Sequence, residues 1–203
     1  MKTKASVCKL CLKDAYKHFK SKTNNPDVSY YNVLSTEFSF TYVIILGKPY
    51  VVVSICGSND AIDWILWNPL LAHRKGFKIA GWVSAKRVFK KLRSYMFYRM
   101  NVPVIIATHS KSGPAGWALN YMIKNHGICK IDSIHAFAPA RGIANRYLYF
   151  IDNATMYIDN SDPVPKLGRT VFQHPTCNVF QHPEIDSGID ISDHGLNHWD
   201  GVV

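Results

Sequence analysis

Residues 104–119 constrain the fold of this chain more than any other stretch. They begin with an apolar, β-branched run, reach Ser110 between small residues, and continue with alanine and leucine residues that favour a helix. A strand, a sharp turn and a helix in this order lift a serine hydroxyl above the edge of a sheet. They also direct the first amides of the helix at an oxygen bound there. We therefore take Ser110 as a candidate nucleophile.

Two positions around Ser110 differ from the usual pattern. A nucleophile turn reads Gly-x-Ser-x-Gly, because the tight turn crowds the residues two before and two after the serine. Thr108 and Ser112 stand at those positions here. Both are small but carry a Cβ atom, so the spacing is kept while the glycines are not. The alternative interpretation of this stretch is an ordinary strand end without a catalytic role.

The composition is that of a globular protein with a strong positive charge. The chain has 203 residues, 47% of them hydrophobic and 19% charged, and a formal net charge of +10. Its length predicts one domain over residues 1–203. Basic residues concentrate near the N-terminus and over residues 73–99, which predicts a basic face for anionic lipid or another polyanion. A solvated surface that only confers solubility is the alternative.

The cysteines and the apolar runs bear on the cellular compartment. The five cysteines are an odd number without a dense pattern, which favours free thiols in a reducing compartment. Cys8 and Cys11 share helical spacing with Leu12 and Ala15, so we expect a buried helix face rather than a metal site or redox pair. No signal peptide and no transmembrane-length run is evident. We expect a cytoplasmic protein, viral or bacterial, with at most peripheral membrane contact.

Hydrophobic periodicity predicts alternating helices and strands along the chain. We expect helices over 4–20, 73–99, the region after Ser110 and 144–150, and strands over 38–46, 50–56, 104–109, 131–138 and 155–158, with two short strands within 171–182. Alternation of this length implies an α/β domain with a partly parallel sheet.

A serine, an aspartate and a histidine follow one another in the order used by α/β-hydrolases. Asp162 comes after a later strand, in a loop held by two prolines, and His194 lies near the C-terminus. A serine hydroxyl is a poor nucleophile until an imidazole removes its proton, and a carboxylate fixes the tautomer of that imidazole. Ser110, Asp162 and His194 are therefore the candidate catalytic residues.

A second turn, after the strand at 50–56, carries the donors that an oxyanion hole needs. Gly57 lets the chain turn, and Ser58 offers a backbone amide and a hydroxyl at the strand end. The alternative is a strand-to-helix turn in which Asn59 or Asp60 caps the helix.

Six segments, taken together and in order, resemble the class 3 lipase family of fungal, plant and bacterial acylglycerol hydrolases. The family's blocks are a strand followed by Gly-Thr and Asp-Trp, a Gly-Phe helix start, Gly-His-Ser-Leu-Gly-Gly, Phe-Gly-Ala-Pro-Arg-x-Gly-Asn, Asn-x-Asp-x-Val-Pro and an Asp-His segment. Here they correspond to residues 52–64, 75–77, 108–113, 135–145, 160–165 and 192–199.

The resemblance implies a three-layer α/β-hydrolase sandwich with a mostly parallel central sheet. It implies a lipase or phospholipase that cleaves lipid acyl esters through an acyl-serine intermediate, without a cofactor or metal. Ser110 would be the nucleophile, Asp162 the acid and His194 the base, with the amides of Ser58 and Lys111 as oxyanion donors. His198 competes with His194 for the role of base; His194 is preferred because it follows an aspartate, as in the family.

Two departures from the family concern the substrate. Lys111 replaces an apolar residue beside the nucleophile, and a cation there favours anionic substrates. The lid region between Trp64 and Gly76 is short. The apolar residues of this region predict a minimal lid or an acyl-chain wall. The candidates for substrate contact are Trp64, Leu66 and Trp67. A buried core helix is the alternative.

The main alternative function is a catalytically silent hydrolase fold that binds a polyanion or a membrane surface. The altered turn favours it, whereas the retention of Ser58, Asp162 and His194 disfavours it. Nucleic-acid binding ranks low because no recognised module is present. Oligomeric state is not readable from the sequence. Among the other histidines, we expect His109 to pack beneath the turn, and His174 and His182 to be loop residues rather than metal ligands.

Overall fold

The computed structural model describes residues 3–57, 73–99, 101–145, 149–162, 164–166, 172–182, 196–200 and 203. The helices are α1 Lys4–Ser21, α2 Ile79–Met96 and α3 Gly113–His126, with short 3₁₀ turns at Ser110–Ser112, Val164–Lys166 and Leu196–Trp199. The strands are β1 Val28–Val33, β2 Thr36–Ile45, β3 Lys48–Ile55, β4 His73–Arg74, β5 Phe77–Lys78, β6 Val104–His109, β7 Ile131–Phe137, β8 Ile143–Ala144, β9 Phe150–Ile158, β10 Phe172–Gln173 and β11 Thr176–Gln181.

Seven of these strands form the central sheet, in the order β1-β2-β3-β6-β7-β9-β11. The pairs β1–β2 and β2–β3 are antiparallel, and every pair from β3 to β11 is parallel. The predicted mostly parallel sheet is thereby confirmed. Parallel strands are covered on both faces, which explains why β3 and β6 are almost continuously apolar and why Val52 and Ile105 are fully buried.

Helices cover both faces of the sheet and complete three layers. On one face α2 packs against α3, and α2 buries Trp82, Ala85, Val88 and Leu92 at helical spacing. The two helices approach closely where they begin, since a Cβ atom at Gly81 would lie 2.5 Å from the Cβ atom of Pro114. Their N-termini are therefore held side by side.

Helix α1 covers the other face and fulfils the prediction made for residues 4–20. Cys8 and Cys11 are buried, and all five cysteines are free thiols. Lys9 is also buried, a position the amphipathic pattern does not predict. Its ammonium donates to the carbonyl oxygen of Trp199 at 2.7 Å and lies 3.2 Å from the Asp200 carboxylate. These contacts fix the C-terminal turn Leu196–Trp199 against α1.

The prediction of one long helix over residues 73–99 was wrong in its first part. Strands β4 and β5 form a hairpin around Lys75 and Gly76, whose φ angles are 52° and 84°. A left-handed backbone at two successive residues cannot continue a helix. Phe77 therefore lies in β5, paired with Ile143, and the helix begins at Ile79.

The predicted helical segment over residues 144–150 was also wrong where the structure describes it. Ile143 and Ala144 form β8, which joins a second, four-stranded sheet in the order β10-β8-β5-β4, and Phe150 begins β9. Residues 146–148 lie outside the described residues. Strand β1 was not predicted from the sequence; its residues are mixed polar and apolar, and they pair with β2 at the sheet edge.

The two short strands predicted within residues 171–182 are confirmed as β10 and β11. They do not pair with each other: β10 joins β8, and β11 is the edge strand beside β9. No helix among the described residues is long and apolar enough to cross a membrane.

Candidate active site

The parallel strands β3, β6, β7 and β9 end at the same edge of the sheet. Their register pairs Ile55 with Thr108, His109 with Phe137, and Phe137 with Tyr157. In open α/β sheets, ligands bind in the crevice outside the carboxyl ends of the strands. The segments that follow these four strands carry the candidate oxyanion turn, Ser110, residues 138–140 and the aspartate loop 159–162.

Ser110 occupies a strained turn between β6 and α3. Its φ angle is 61°, in the left-handed region that costs a residue with a Cβ atom about 1–2 kcal/mol. The backbone then makes the single 3₁₀ turn Ser110–Ser112 before α3 begins. The carbonyl oxygen of Ser110 accepts a hydrogen bond of 2.9 Å from the amide of Ala140, which ties the turn to the end of β7.

Thr108 is accommodated by a glycine elsewhere in the chain. A Cβ atom at Gly116 of α3 would lie 2.6 Å from Cγ2 of Thr108, so the threonine methyl fills the space left by the missing side chain. Strand β6 and helix α3 therefore still approach closely, although the glycine that allows this is Gly116 on α3 and not residue 108 on β6. Gly116 therefore leaves room for the side chain at position 108.

Ser112 holds the turn through its hydroxyl group. The hydroxyl accepts a hydrogen bond from the amide of His109 at 3.0 Å and donates to the carbonyl oxygen of Ile55 at 2.7 Å. It thereby links the last residues of β3 and β6. The next residue, Gly113, is required by packing, since a Cβ atom there would lie 2.6 Å from the Cβ atom of Pro139.

Asp162 lies in a loop that is held by several hydrogen bonds. Its side chain is fully buried, and its Oδ1 atom accepts a hydrogen bond of 2.8 Å from the amide of Val164. Asp159 accepts hydrogen bonds from the amide and the hydroxyl of Ser161. The Nε atom of Arg141 donates to the carbonyl oxygen of Pro165 at 2.9 Å. The side chain of Asp162 therefore has little conformational freedom.

The structure places the turn that carries Ser110 next to the turn that follows Asp162. The turn Ser110–Ser112, which includes Lys111, contacts the turn Val164–Lys166 that follows Asp162. His198 lies on the turn Leu196–Trp199. The remaining predicted residues, Ser58, Trp64, Leu66, Trp67 and His194, lie outside the described residues.

Tyr16 is a residue of this site that the sequence analysis missed. Its phenol oxygen accepts a hydrogen bond of 2.5 Å from the amide of Gly57 and lies 2.9 Å from Nδ1 of His109. Burial raises the pKa of Tyr16 well above its ordinary value, so the phenol remains protonated. Helical spacing gave one signal, because Tyr16 follows the buried Leu12 by four residues on α1. Tyr16 nevertheless lies far along the chain from every motif of the site.

His109, His174 and His182 each contact other residues of the described chain. His109 is buried beneath the turn against Tyr16, as expected. His182 is buried, with Nδ1 3.6 Å from Oδ2 of Asp159 and its ring edge-on to Trp199. His174 lies 3.0 Å from the carbonyl oxygen of Pro165, and burial lowers its pKa to about 4. Both His174 and His182 lie in loops directly after strands, as predicted.

Solved structures of fungal lipases share this fold. A fungal lipase from a lipase–inhibitor complex has a TM-score of 0.61 and 10% identity, with 84% of this chain and 76% of that chain covered. Lip2 lipase from Yarrowia lipolytica has a TM-score of 0.57 and 12% identity, covering 76% and 67% of the two chains. A triacylglycerol lipase from Penicillium expansum has a TM-score of 0.56 and 13% identity, covering 89% and 82%. No family profile and no curated protein sequence matches the chain significantly.

These similarities define the class of fold. The chain has an α/β-hydrolase sandwich in the arrangement found in fungal triacylglycerol lipases. The resemblance to class 3 lipases that the sequence motifs indicate is thus confirmed at the level of the fold. At 10–13% identity in these structures, the shared fold does not by itself assign a reaction.

Proposed function

We propose that this protein is a serine carboxylic-ester hydrolase that cleaves lipid acyl esters. The observation that carries the proposal is the backbone of Ser110, which is held in a left-handed conformation at the end of a parallel strand. Glycine would occupy this position at lower conformational cost. A strained serine in a fold shared with lipases is best explained by the function of its hydroxyl group.

In the proposed reaction, Ser110 Oγ adds to the ester carbonyl carbon while His194 accepts the hydroxyl proton. Asp162 orients the imidazole and stabilises its cationic form. The amides of Lys111 and Ser58 donate to the oxyanion of the tetrahedral intermediate. Collapse of this intermediate expels the alcohol, which takes the proton from His194, and leaves an acyl-serine. Water then attacks the acyl-serine by the same steps and releases the carboxylic acid.

The C-terminal turn supports a base from this end of the chain, which carries both His194 and His198. Leu196 stands two residues after His194 in the sequence and is buried in a cluster with Ala107 and Phe137, which lie on β6 and β7 near their carboxyl ends. Trp199 is fully buried in the same cluster. The chain after His194 is thus anchored near the strand ends that carry the nucleophile. Trp64, Leu66 and Trp67 remain the proposed contacts for the acyl chain.

Activity-based labelling tests this proposal. A fluorophosphonate probe is expected to modify the wild type on the tryptic peptide that contains Ser110, as mapped by mass spectrometry. His194→Ala is expected to lose both labelling and hydrolysis of p-nitrophenyl butyrate, whereas His198→Ala keeps both. A folded wild type that is inert to the probe and to the ester would refute the proposal and favour the catalytically silent alternative.

Tyr16 is expected to act as a positioning residue for the oxyanion turn. Tyr16→Phe leaves the amide of Gly57 without its acceptor, which costs about 1–3 kcal/mol of stability when that amide stays buried. Because the turn then loses its anchor, we expect kcat for p-nitrophenyl butyrate to fall about tenfold with little change in KM.

The matched control for Tyr16→Phe is Tyr42→Phe, at a tyrosine whose side chain is 45% exposed on β2. It should change neither the melting temperature nor kcat. A Tyr16→Phe enzyme with a lower melting temperature and unchanged kcat would show that Tyr16 stabilises the fold without positioning the site.

A further inference from the structure

Five of the ten exposed large apolar side chains among the described residues lie at one end of the molecule, and we call these five the apolar tip. They are Tyr42, Ile44 and Leu46 of the β2–β3 hairpin, and Phe97 and Tyr98 directly after α2. The rings of Phe97 and Tyr98 pack edge-to-face, with their centroids 4.9 Å apart. Single exposed apolar residues are common on protein surfaces, whereas a group of them marks an interaction site.

The hairpin part of the apolar tip is a sheet face that α2 leaves uncovered. Phe40 is fully buried on this face, and its ring centroid lies 5.0 Å from that of Tyr95 in the last turn of α2. Side chains two positions apart on a strand share a face, so Tyr42 and Ile44 continue the face of Phe40. Because α2 ends at Met96, Tyr42 and Ile44 are exposed.

The hairpin also projects from the edge of the sheet. The register of β3 with β6 begins at Val51, so residues 48–50 extend about 10 Å beyond the start of β6. The chain that follows α2 returns to this edge, because the amide of Val51 donates to the carbonyl oxygen of Pro103 at 3.0 Å. The apolar tip therefore lies at the edge where the parallel strands begin. Ser110 lies at the opposite edge, directly after the end of β6.

Cationic side chains accompany the apolar tip. Lys48 is exposed at the hairpin, and Arg93 is exposed in the last turn of α2. In the sequence, residues 64–131 contain no Asp or Glu, and they include α2, α3 and the segment between them. The helix and the loop that contribute Phe97 and Tyr98 therefore carry no negative side chain.

The charge selects the kind of surface that covers the apolar tip. Asp132 at this edge is paired with Lys4 at 2.7 Å, and Asp27 is an exposed acid directly before β1. Positive charge remains in excess, on a chain whose formal net charge is +10. Two copies of the chain would repel each other here, whereas an anionic surface would be attracted. Aromatic and aliphatic side chains beside lysine and arginine suit the headgroup region of an anionic bilayer.

We propose that the apolar tip docks on an anionic lipid bilayer, with the Ser110 turn at the far end of the molecule. The hairpin turn and the two aromatic rings would enter the headgroup region, and Lys48 and Arg93 would contact the lipid phosphates. The crevice at the opposite edge of the sheet would then open toward the aqueous phase. This orientation differs from docking through the crevice, and the inference holds whether or not Ser110 hydrolyses an ester.

Vesicle flotation tests the proposal, with vesicles of phosphatidylcholine alone or mixed with phosphatidylglycerol. The wild type is expected to bind the mixed vesicles more tightly, and added NaCl should weaken this binding. Leu46→Asn should lower the partition coefficient for mixed vesicles about tenfold, because the burial of a leucine side chain is lost. We expect this variant to fold, since Leu46 and Gly47 form a two-residue turn with φ angles of 51° and 75°, in which Asn-Gly is favoured.

Leu34→Asn is the matched control. Leu34 is also the first residue of a two-residue hairpin turn, with a φ angle of 48° and a side chain that is 76% exposed. Its turn joins β1 to β2 at the other end of β2, beside the carboxyl end of β3. Leu34→Asn should bind mixed vesicles as the wild type does. A loss of binding in Leu34→Asn as large as that in Leu46→Asn would show that the crevice side meets the bilayer and would overturn the proposal.

Lys48→Gln and Lys17→Gln test the role of charge. Lys17 is exposed on α1 and follows Tyr16, which contacts Gly57 at the edge that carries Ser110. Lys48→Gln should weaken binding to mixed vesicles about fivefold, as expected for one lysine at a bilayer surface, whereas Lys17→Gln should not change it. Equal losses in the two variants would show that net charge alone drives binding, and they would overturn the proposal.

Four further results would count against the proposal. The wild type would bind no mixed vesicles, or would bind neutral vesicles equally well. A wild-type dimer in sedimentation velocity that Leu46→Asn dissociates would assign the apolar tip to a second copy of the chain. If Leu46→Asn does not fold, Tyr98→Ser replaces it, at a side chain that is 87% exposed, and unchanged vesicle binding in that variant overturns the proposal.

The proposed reaction is tested separately from this docking. Leu46→Asn should hydrolyse p-nitrophenyl butyrate at the rate of the wild type, because the apolar tip lies at the edge opposite Ser110. A wild type that binds mixed vesicles through the tip but hydrolyses no ester would refute the proposed function and leave the docking surface in place. A wild type that hydrolyses the ester but binds no vesicles would do the reverse.

Discussion

Ser110→Gly is expected to stabilise the protein by about 1 kcal/mol and to abolish ester hydrolysis. The stabilisation follows from the φ angle of 61°, which glycine adopts without steric penalty. The loss of activity follows from removal of the nucleophile, and we expect kcat to fall by at least about a thousandfold. Thermal or urea unfolding gives the first quantity, and hydrolysis of p-nitrophenyl butyrate gives the second.

Ser110→Ala separates the two effects. Alanine removes the hydroxyl but keeps the Cβ atom, so activity should be lost as in Ser110→Gly while the stability gain is absent. A glycine variant that is less stable than the wild type would show that the serine side chain contributes to the fold. An alanine variant that retains hydrolysis would exclude Ser110 as the nucleophile.

Gly116→Ala is expected to destabilise the protein by about 1–3 kcal/mol, because the new methyl group would overlap Cγ2 of Thr108 at 2.6 Å. Thr108→Ala removes that methyl group. The double variant Thr108→Ala with Gly116→Ala should therefore recover most of the stability lost in Gly116→Ala. Urea unfolding of the wild type, the two single variants and the double variant measures this coupling as a double-mutant cycle.

The same cycle tests how the turn tolerates the missing glycine. If the stability losses of the two single variants simply add in the double variant, Thr108 and Gly116 are not sterically coupled, and Gly116 does not explain how the turn accommodates a threonine. Gly127→Ala is a useful contrast. Gly127 is left-handed at φ 62° at the end of α3 with open space around its Cβ position, so its cost would come from the backbone alone and Thr108→Ala should not rescue it.

The local pattern of the sequence determined the central elements of the fold. Apolar runs that need cover on both faces predicted β3 and β6, helical spacing predicted α1, and the order of serine, aspartate and histidine indicated the class of site. Periodicity was insufficient around Phe77, because a buried aromatic residue suits either a short strand or the first turn of a helix. The left-handed backbone at Lys75 and Gly76 decided that case.

The sequence alone could not determine the contacts between residues that are distant along the chain. In the sequence, Thr108 differs from the glycine expected in the turn, and only the packed structure shows Gly116 of α3 against its methyl group. Tyr16 belongs to no motif, and it contacts Gly57 because α1 crosses the ends of β3 and β6. Likewise, Gly81 and Pro114 come into contact only because α2 and α3 begin side by side. Local propensity acts over a few residues, whereas steric fit, hydrogen bonding and charge depend on distances that only the packed structure sets.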